Sequence, residues 1–155
     1  MRPTDPALLH YRFGAFYLAR AAQVPGSTAI RDVLLGLLAA ADEPIAAGRH
    51  KVLGNADLAV IPQTSTIASH LPRAMGVAFA IERANKLKVA GVWPPDAVAV
   101  ASFGDASANH STATGAINEY PHAFQIPMFP ANGGNVAGTG SSDLKPLSSL
   151  GKMSN

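Results

Sequence analysis

A short apolar run that ends in Gly-Asp constrains the fold of this chain more than any other feature. Residues 97–103 read AVAVASF, and Gly104 and Asp105 follow them directly. A short β-branched run without charges predicts a buried strand. The small residues after Asp105 favour the start of a helix. In an open α/β sheet, a turn and a helix start at the carboxyl end of a strand form the usual ligand crevice.

The chemistry available at this turn predicts the ligand of such a crevice. The start of a helix offers unpaired N–H groups to an anion, and Asp105 offers oxygen ligands to a hard cation. A cation beside an anion indicates a phosphate or diphosphate bridged by a metal, with Mg²⁺ as the expected ion. The alternative from the residues alone is that Asp105 is an ordinary helix cap.

Two further segments carry polar groups that suit the same crevice. Arg12, in the pair Tyr11-Arg12, could bind phosphate oxygens through two parallel hydrogen bonds. The run QTSTIAS at 63–69 supplies groups that could fix a heterocycle or a monovalent cation. Its hydroxyls belong to Thr64, Ser65, Thr66 and Ser69. The alternatives are that Arg12 extends from an apolar helix to the surface, and that the Ser/Thr run forms a turn.

Composition narrows the classes of function. Only 14% of the 155 residues are charged while 48% are hydrophobic, which predicts a buried core and a surface partly covered by a partner subunit. The net charge of +2 without a Lys/Arg run argues against nucleic-acid binding. Cysteine is absent, which excludes disulfides, thiolate metal sites and a cysteine nucleophile, and fits a cytoplasmic location. No segment is apolar for long enough to span a bilayer, and no secretory leader is recognised.

The pattern along the chain predicts an α/β fold in which helices flank a short parallel sheet. Apolar periodicity and stop signals predict three helices before the strand, over residues 6–23, 28–43 and 71–88. Pro72 falls where a first-turn proline is tolerated. Residues 44–69 are predicted to form a long irregular loop, and a loop of this length inside a compact domain is usually either functional or wrongly assigned. The segment IPMF at 126–129 predicts a short edge strand. We expect a domain over 1–132 and a loose Gly/Ser-rich tail over 133–155.

The five histidines form no recognised metal or catalytic pattern. No HxH or HExxH spacing occurs among His10, His50, His70, His110 and His122. Each is therefore interpreted as a cap, a surface residue or a hydrogen-bonded interior group. His70 and His110 are kept as candidates because both adjoin the predicted crevice. GxSxG and GxxxxGK[ST] are also absent, which leaves a triad hydrolase or a P-loop protein without support.

Four segments in the same order resemble those of one enzyme family. They are YRFGAFYLAR at 11–20, GRHKVLG at 48–54, QTSTIASHLPRAMGVAFA at 63–80 and GDASANHSTATGAIN at 104–118. On these segments the chain resembles the alpha subunit, or alpha half, of the thiamine-diphosphate-dependent decarboxylating component of 2-oxo acid dehydrogenase complexes, of the pyruvate and branched-chain type. The resemblance implies an incomplete thiamine-diphosphate-binding fold. It also implies oxidative decarboxylation of a 2-oxo acid with transfer of the acyl group to a lipoyl arm.

The resemblance assigns cofactor contacts to particular positions. Arg12 and the backbone at Ala106 and Ser107 would meet the diphosphate, while Ser65 and the backbone of Ile67 would hold the aminopyrimidine. The complete set of implied cofactor contacts is Tyr11, Arg12, Ser65, Ile67, Gly104, Asp105, Ala106 and Ser107.

Metal ions are implied by the same resemblance. Asp105 would be a ligand of Mg²⁺, and Asn132 matches the second ligand. Asn118 matches an asparagine with a structural role in the helix after the motif. A loop that binds K⁺ in some relatives matches Thr64, Thr66, Ser69 and His70.

The chain departs from the family pattern in three places. Ala106 replaces the third-position glycine of the cofactor motif, and Pro121 interrupts the helix expected after Asn118. Ala131 replaces one residue of the terminal Asn-Asn pair, so Asn132 alone remains. The family's later histidine loops have no counterpart here, and the chain therefore resembles a truncated member.

The implied partners follow from the family. They are a beta subunit or beta half and a lipoyl-bearing acyltransferase, and the substrate is a 2-oxo acid. The glutamate that activates the aminopyrimidine comes from the beta partner, so the isolated chain is expected to show negligible decarboxylation. Two alternatives stay open. One is a catalytically inactive remnant that pairs with a beta-type subunit; the other is a flavodoxin-like or generic nucleotide-binding domain, which leaves the QTSTIAS and Tyr-Arg matches unexplained.

Overall fold

The chain folds into a mixed α/β arrangement with helices on both sides of a short parallel sheet. The computed structural model describes residues 1–64 and 66–119 and the backbone of 128–130; of Asp105 and Glu119 it describes the backbone alone. In chain order, the elements are β1 (Ala7–Leu8), α1 (Gly14–Ala21), α2 (Ala29–Leu37), α3 (His70–Leu87), β2 (Val100–Phe103), a 3₁₀ helix (Asp105–Asn109), α4 (Ser111–Glu119) and β3 (Met128–Pro130).

The strand predicted from the AVAVASF run lies at the centre of the three named strands. The order is β1-β2-β3, and both pairings are parallel. Ala7 lies opposite Val100, and Ala101 lies opposite both Leu8 and Met128. The strand at Met128–Pro130 therefore occupies an edge of these three strands, as the prolines near it predict.

A further stretch of the chain joins the sheet on the other side of β1. Ala7 forms a parallel bridge with Val60. The amide of Ala7 donates to the carbonyl of Ala59, and the amide of Ile61 donates to the carbonyl of Ala7, both at 2.8 Å. We call residues 59–61 the bridging segment; it brings part of the predicted loop 44–69 into the sheet.

Successive side chains of the strands enter two different cores, because side chains alternate across a sheet. Ala7 and Val100 belong to the core on the side of α1 and α2, whereas Leu8 and Ala101 belong to the core on the side of α3 and α4. Further buried members of the first core are Leu9, Tyr17, Ala29, Leu53, Leu58 and Val60. Further buried members of the second core are Ala68, Leu71, Ala74, Met75, Ala113 and Ala116. The second core contains several alanines, which lets α3 and α4 pack closely against the sheet.

The predicted first helix, over residues 6–23, is wrong at its amino-terminal end. Ala7 and Leu8 form β1, and the helix is confined to Gly14–Ala21. The apolar periodicity of a short run does not distinguish a buried strand from a buried helix. Ala7 and Leu8 form a strand because they pair with β2 on one side and Ala7 pairs with Val60 on the other.

The second predicted helix is shorter than its sequence pattern. It was expected over 28–43 but ends at Leu37, and Ala39 adopts a left-handed φ of 51°. Thr28 occupies its N-cap position. The third helix and its first-turn proline are confirmed, since Pro72 is the third residue of α3. Within the described residues, no helix is both long and apolar enough to cross a membrane.

Candidate functional site

Three segments with polar residues leave the sheet at the same edge. β1 is followed by residues 9–12, the bridging segment by residues 62–66, and β2 by residues 104–107. β1 pairs in parallel with both β2 and the bridging segment, so the three carboxyl ends share one side of the sheet. We call this side the carboxyl edge. It is the position at which open α/β sheets bind ligands.

Ser102 joins two of these segments from the middle of the edge. It is the third residue of β2 and is fully buried. Its Oγ accepts a hydrogen bond from the backbone amide of His10 at 2.8 Å. Its carbonyl oxygen lies 2.7 Å from Nε2 of His70. One buried residue therefore connects the end of β1, the end of β2 and the start of α3.

The contact of His70 with Ser102 selects the tautomer of the imidazole. A carbonyl oxygen can only accept, so Nε2 of His70 donates, and in the neutral ring Nδ1 then has a free lone pair. Burial lowers the pKa of His70, and the hydrogen bond to Ser102 opposes this shift. The positive charges of His10 and Arg73 lower the pKa further. His70 is therefore a neutral group with an available acceptor, and Nδ1 has no partner among the described residues.

Gln63 connects the third segment to the edge. Its Nε2 donates to the carbonyl of Leu9, the first residue after β1. The side chain is buried, and its Oε1 has no hydrogen-bond partner in the described part of the chain. The carboxyl edge thus holds two buried acceptors without donors, Gln63 Oε1 and His70 Nδ1.

Of the predicted cofactor residues, Tyr11 and Arg12 follow β1 and Ile67 follows the bridging segment, and these three are exposed. Tyr11 is 41% exposed and Ile67 is 59% exposed. The guanidinium carbon of Arg12 lies 4.9 Å from the centroid of the Tyr11 ring. The ring of His10 is also close, with its centroid 4.2 Å from that of Tyr11. Arg12 is therefore held beside an aromatic ring and has an exposed side chain that an anion can reach.

The turn after β2 contains Gly104, where the backbone conformation and the room for a Cβ atom would both allow another residue. Gly104 has φ −76° and ψ 150°, which any residue adopts. A Cβ built there would meet Ser107 Oγ at 3.6 Å, an ordinary contact distance. A close approach of a ligand to the backbone is a further reason for glycine at a turn. The next residue, Asp105, is the first residue of the 3₁₀ helix and does not occupy the N-cap position, which belongs to Gly104.

Three predicted ligand residues fall outside the described part of the chain in whole or in part. Ser65 and Asn132 lie outside it, and for Asp105 only the backbone is described. Among the described residues, no three His, Asp or Glu side chains are grouped so that they could hold a metal ion. The predicted Mg²⁺ ligands Asp105 and Asn132 therefore remain predictions, as does the K⁺ loop.

The two candidate histidines have different positions. His70 is buried at the carboxyl edge, whereas His110 is exposed and precedes α4, where its Nδ1 accepts a hydrogen bond from the amide of Thr112 at 3.3 Å. His110 therefore acts as a helix cap, one of the roles expected from the sequence.

Sequence reasoning missed the residues that connect the three segments. Ser102, Gln63 and His10 make these connections, and none of them is among the predicted site residues. A serine inside an otherwise apolar strand run was an available signal for Ser102. Nothing in the local pattern indicates that Gln63 reaches the carbonyl of Leu9, because the two residues are 54 positions apart.

The comparisons with known proteins add no relative. No protein-family model matches this chain, and no curated protein matches it.

Proposed function

We propose that this chain is the alpha part of a thiamine-diphosphate-dependent 2-oxo acid dehydrogenase, and that the carboxyl edge is its cofactor site. The observation that supports this most directly is the meeting of three segments. Tyr11-Arg12, the QTSTIAS loop and the Gly104-Asp105 turn were related to one cofactor by resemblance alone, and each follows a different stretch of the same parallel sheet.

The residues at the edge have chemistry that suits the proposed cofactor. Arg12 offers an exposed cation for the diphosphate, and Gly104 leaves the backbone free for close approach. The buried acceptors of Gln63 and His70 suit a heterocycle that carries N–H groups. When bound, thiamine diphosphate supplies the electron sink for loss of CO₂ from a 2-oxo acid.

The protein's part in this proposal is to bind and orient the cofactor. Asp105, with Asn132, would hold Mg²⁺ against the diphosphate, and Arg12 would pair with the remaining phosphate oxygens. Tyr11, Ser65 and Ile67 would contact the rings. The activating glutamate and the lipoyl-bearing acyltransferase belong to the proposed partners, so the isolated chain binds cofactor without turning over substrate.

Calorimetric titration of the full chain tests the proposal. We expect heat of binding with thiamine diphosphate and Mg²⁺ together, and a loss of that heat when Mg²⁺ is replaced by a chelator. Asp105→Ala should abolish the Mg²⁺-dependent binding. Asp42→Ala, which removes an exposed carboxylate on the α2 side of the sheet, is the matched control and should bind as the original chain does.

Two results would contradict the proposal. Absence of binding at millimolar cofactor would favour the alternative of an inactive remnant that pairs with a beta-type subunit. Robust decarboxylation of a 2-oxo acid by the isolated chain would reject the assignment of the activating glutamate to a partner.

A further inference from the structure

Two buried acceptors at the carboxyl edge have no donor among the described residues. Gln63 is 8% exposed and His70 is 3% exposed, and each has one polar atom without a partner among the described residues, Oε1 and Nδ1 respectively. Buried polar atoms in folded proteins are nearly always satisfied by protein, water or ligand. A ligand that brings N–H groups to this edge would supply the missing donors.

We propose that Gln63 recognises the amino group of the ligand's heterocycle by accepting a hydrogen bond at Oε1. The inference rests on the proposed function, which makes that heterocycle the aminopyrimidine of thiamine diphosphate. It adds a residue that the family resemblance does not assign to the cofactor.

The orientation of the Gln63 amide supports this role. Its Nε2 donates to the carbonyl of Leu9, and a carbonyl can only accept. The reversed amide would place two acceptors against each other, so Oε1 is the free atom. Leu9 lies two residues before Tyr11, a predicted cofactor contact. The bond to Leu9 thus holds the free acceptor at the same strand end as the predicted site.

Gln63 suits a ligand contact better than His70 because its neighbours in the loop are exposed. Thr64 and Thr66 are exposed, whereas His70 is the buried first residue of α3.

A comparison of two cofactor forms tests this role without measuring turnover. The full chain is titrated, in the presence of Mg²⁺, with thiamine diphosphate and with oxythiamine diphosphate, which carries an oxo group in place of the amino group. We expect the amino form to bind at least about tenfold more tightly, because the oxo form places an acceptor against Gln63. Gln63→Met should reduce this ratio to about threefold or less, with the affinity for inorganic pyrophosphate unchanged.

Two variants control the measurement. Gln23→Met removes an exposed glutamine at the end of α1 and should keep the ratio of the original chain. Gln63→Leu removes the same acceptor with an apolar side chain of different shape and should lose the preference for the amino form as Gln63→Met does. Circular dichroism checks that each variant is folded.

Each outcome either supports or overturns the inference. A ratio that Gln63→Met leaves unchanged would overturn it, and so would equal binding of both forms by the original chain. If Gln63→Met does not fold, retention of the preference in a folded Gln63→Leu overturns it, and loss of the preference supports it. Failure of the original chain to bind thiamine diphosphate at all is a different result, which rejects the proposed function and this inference with it.

Discussion

The two ends of the strands are held together by different chemistry. We call the side of the sheet at which the strands begin the amino edge, and there charged side chains join the segments. At the carboxyl edge, the neutral side chains of Ser102, His70 and Gln63 join them. The amino edge is fastened by charged side chains, whereas the carboxyl edge holds two buried acceptors, Gln63 Oε1 and His70 Nδ1, that have no donor among the described residues.

At the amino edge, Arg20 and Asp5 each connect several stretches of chain. Arg20 is 2% exposed, and its Nη1 donates to the carbonyl of Asp5 at 2.6 Å and to that of Leu58 at 3.0 Å. Its guanidinium carbon lies 4.6 Å from the centroid of the Phe16 ring. The carboxylate of Asp5 accepts hydrogen bonds from the side chain of Arg2 and the amide of Val98. The starts of β1, the bridging segment and β2 are thereby linked.

This difference predicts that the two edges contribute unequally to the free energy of unfolding and to ligand binding. Hydrogen bonds to charged groups contribute more to stability than neutral ones, by roughly a factor of two. The amino edge should therefore dominate the free energy of unfolding, while substitutions at the carboxyl edge should act mainly on ligand binding.

The largest expected effect on stability is that of Arg20→Met. It removes both hydrogen bonds of Nη1 and leaves two buried carbonyls without donors, and this loss outweighs the gain from removing Nε and Nη2, which are buried without a described partner. We therefore expect the free energy of unfolding to fall by about 2–3 kcal/mol. Urea denaturation followed by circular dichroism measures it. Arg31→Met, at an exposed arginine of α2, is the control and should change stability by less than about 0.5 kcal/mol. Equal stability of Arg20→Met and the original chain would remove the distinction between the edges.

Asp5→Asn should have the next largest effect, and it should depend on pH. Burial acts to raise the pKa of Asp5, but hydrogen bonds from Arg2 and from the Val98 amide outweigh it, and the pKa lies below its ordinary value of 3.8. A carboxyl group whose pKa is lowered by folding stabilises the folded state above that ordinary value, and the contribution is lost as the pH falls through the lowered pKa.

We therefore expect Asp5→Asn to cost about 1.5 kcal/mol at neutral pH, and the difference from the original chain to shrink below about pH 4. Urea denaturation across a pH series measures this difference. A constant difference between pH 7 and pH 3 would show that packing, and not the charge of Asp5, carries its contribution.

Ser102→Ala tests the central connection of the carboxyl edge. The substitution leaves the His10 amide without its acceptor, and we expect a loss of about 1 kcal/mol, smaller than that at either charged residue of the amino edge. Thermal and urea unfolding measure it, with Ser111→Ala at an exposed serine as the control. A loss as large as that of Arg20→Met would reverse the order of the two edges.

The smallest effect on stability is expected for Gln63→Met. The variant loses the bond to Leu9 but also removes a buried acceptor that has no described partner, and these contributions oppose each other. We expect a net change within about 0.5 kcal/mol in urea denaturation. A loss of several times this size would mean that Gln63 is mainly a structural residue. A change in cofactor binding by the variant would then follow from its altered structure.

The sequence predicted the fold class and the central strand better than it predicted the ends of elements. β2 lies within the uncharged run before Gly104, as predicted. A parallel sheet flanked by helices was also predicted. The strand at Ala7–Leu8 was hidden inside an apparent helix, because two residues are too few for any periodicity to register. The bridging segment was hidden in a predicted loop for the same reason.

The candidate site could be predicted as three separate motifs but not as a connected site. Each motif is a short continuous segment whose residue types predict its ligand. Arg12 predicts an anion, the hydroxyls of the QTSTIAS loop predict hydrogen bonds to a ligand, and Asp105 predicts a cation. The residues that connect them, such as Gln63 with Leu9 and Ser102 with His10, are far apart in the chain. Their pairing depends on parallel register, which no local pattern specifies.

Sequence by itself determined which segments of this protein are apolar enough to be buried and which turns carry polar groups, because burial and turn formation depend on the chemistry of neighbouring residues. The tertiary structure decided which of those turns share an edge, which histidine is buried and neutral, and which acceptors lack donors. These properties arise only when parallel strands align and exclude water, since it is contact between distant residues that fixes hydrogen-bond partners and pKa values.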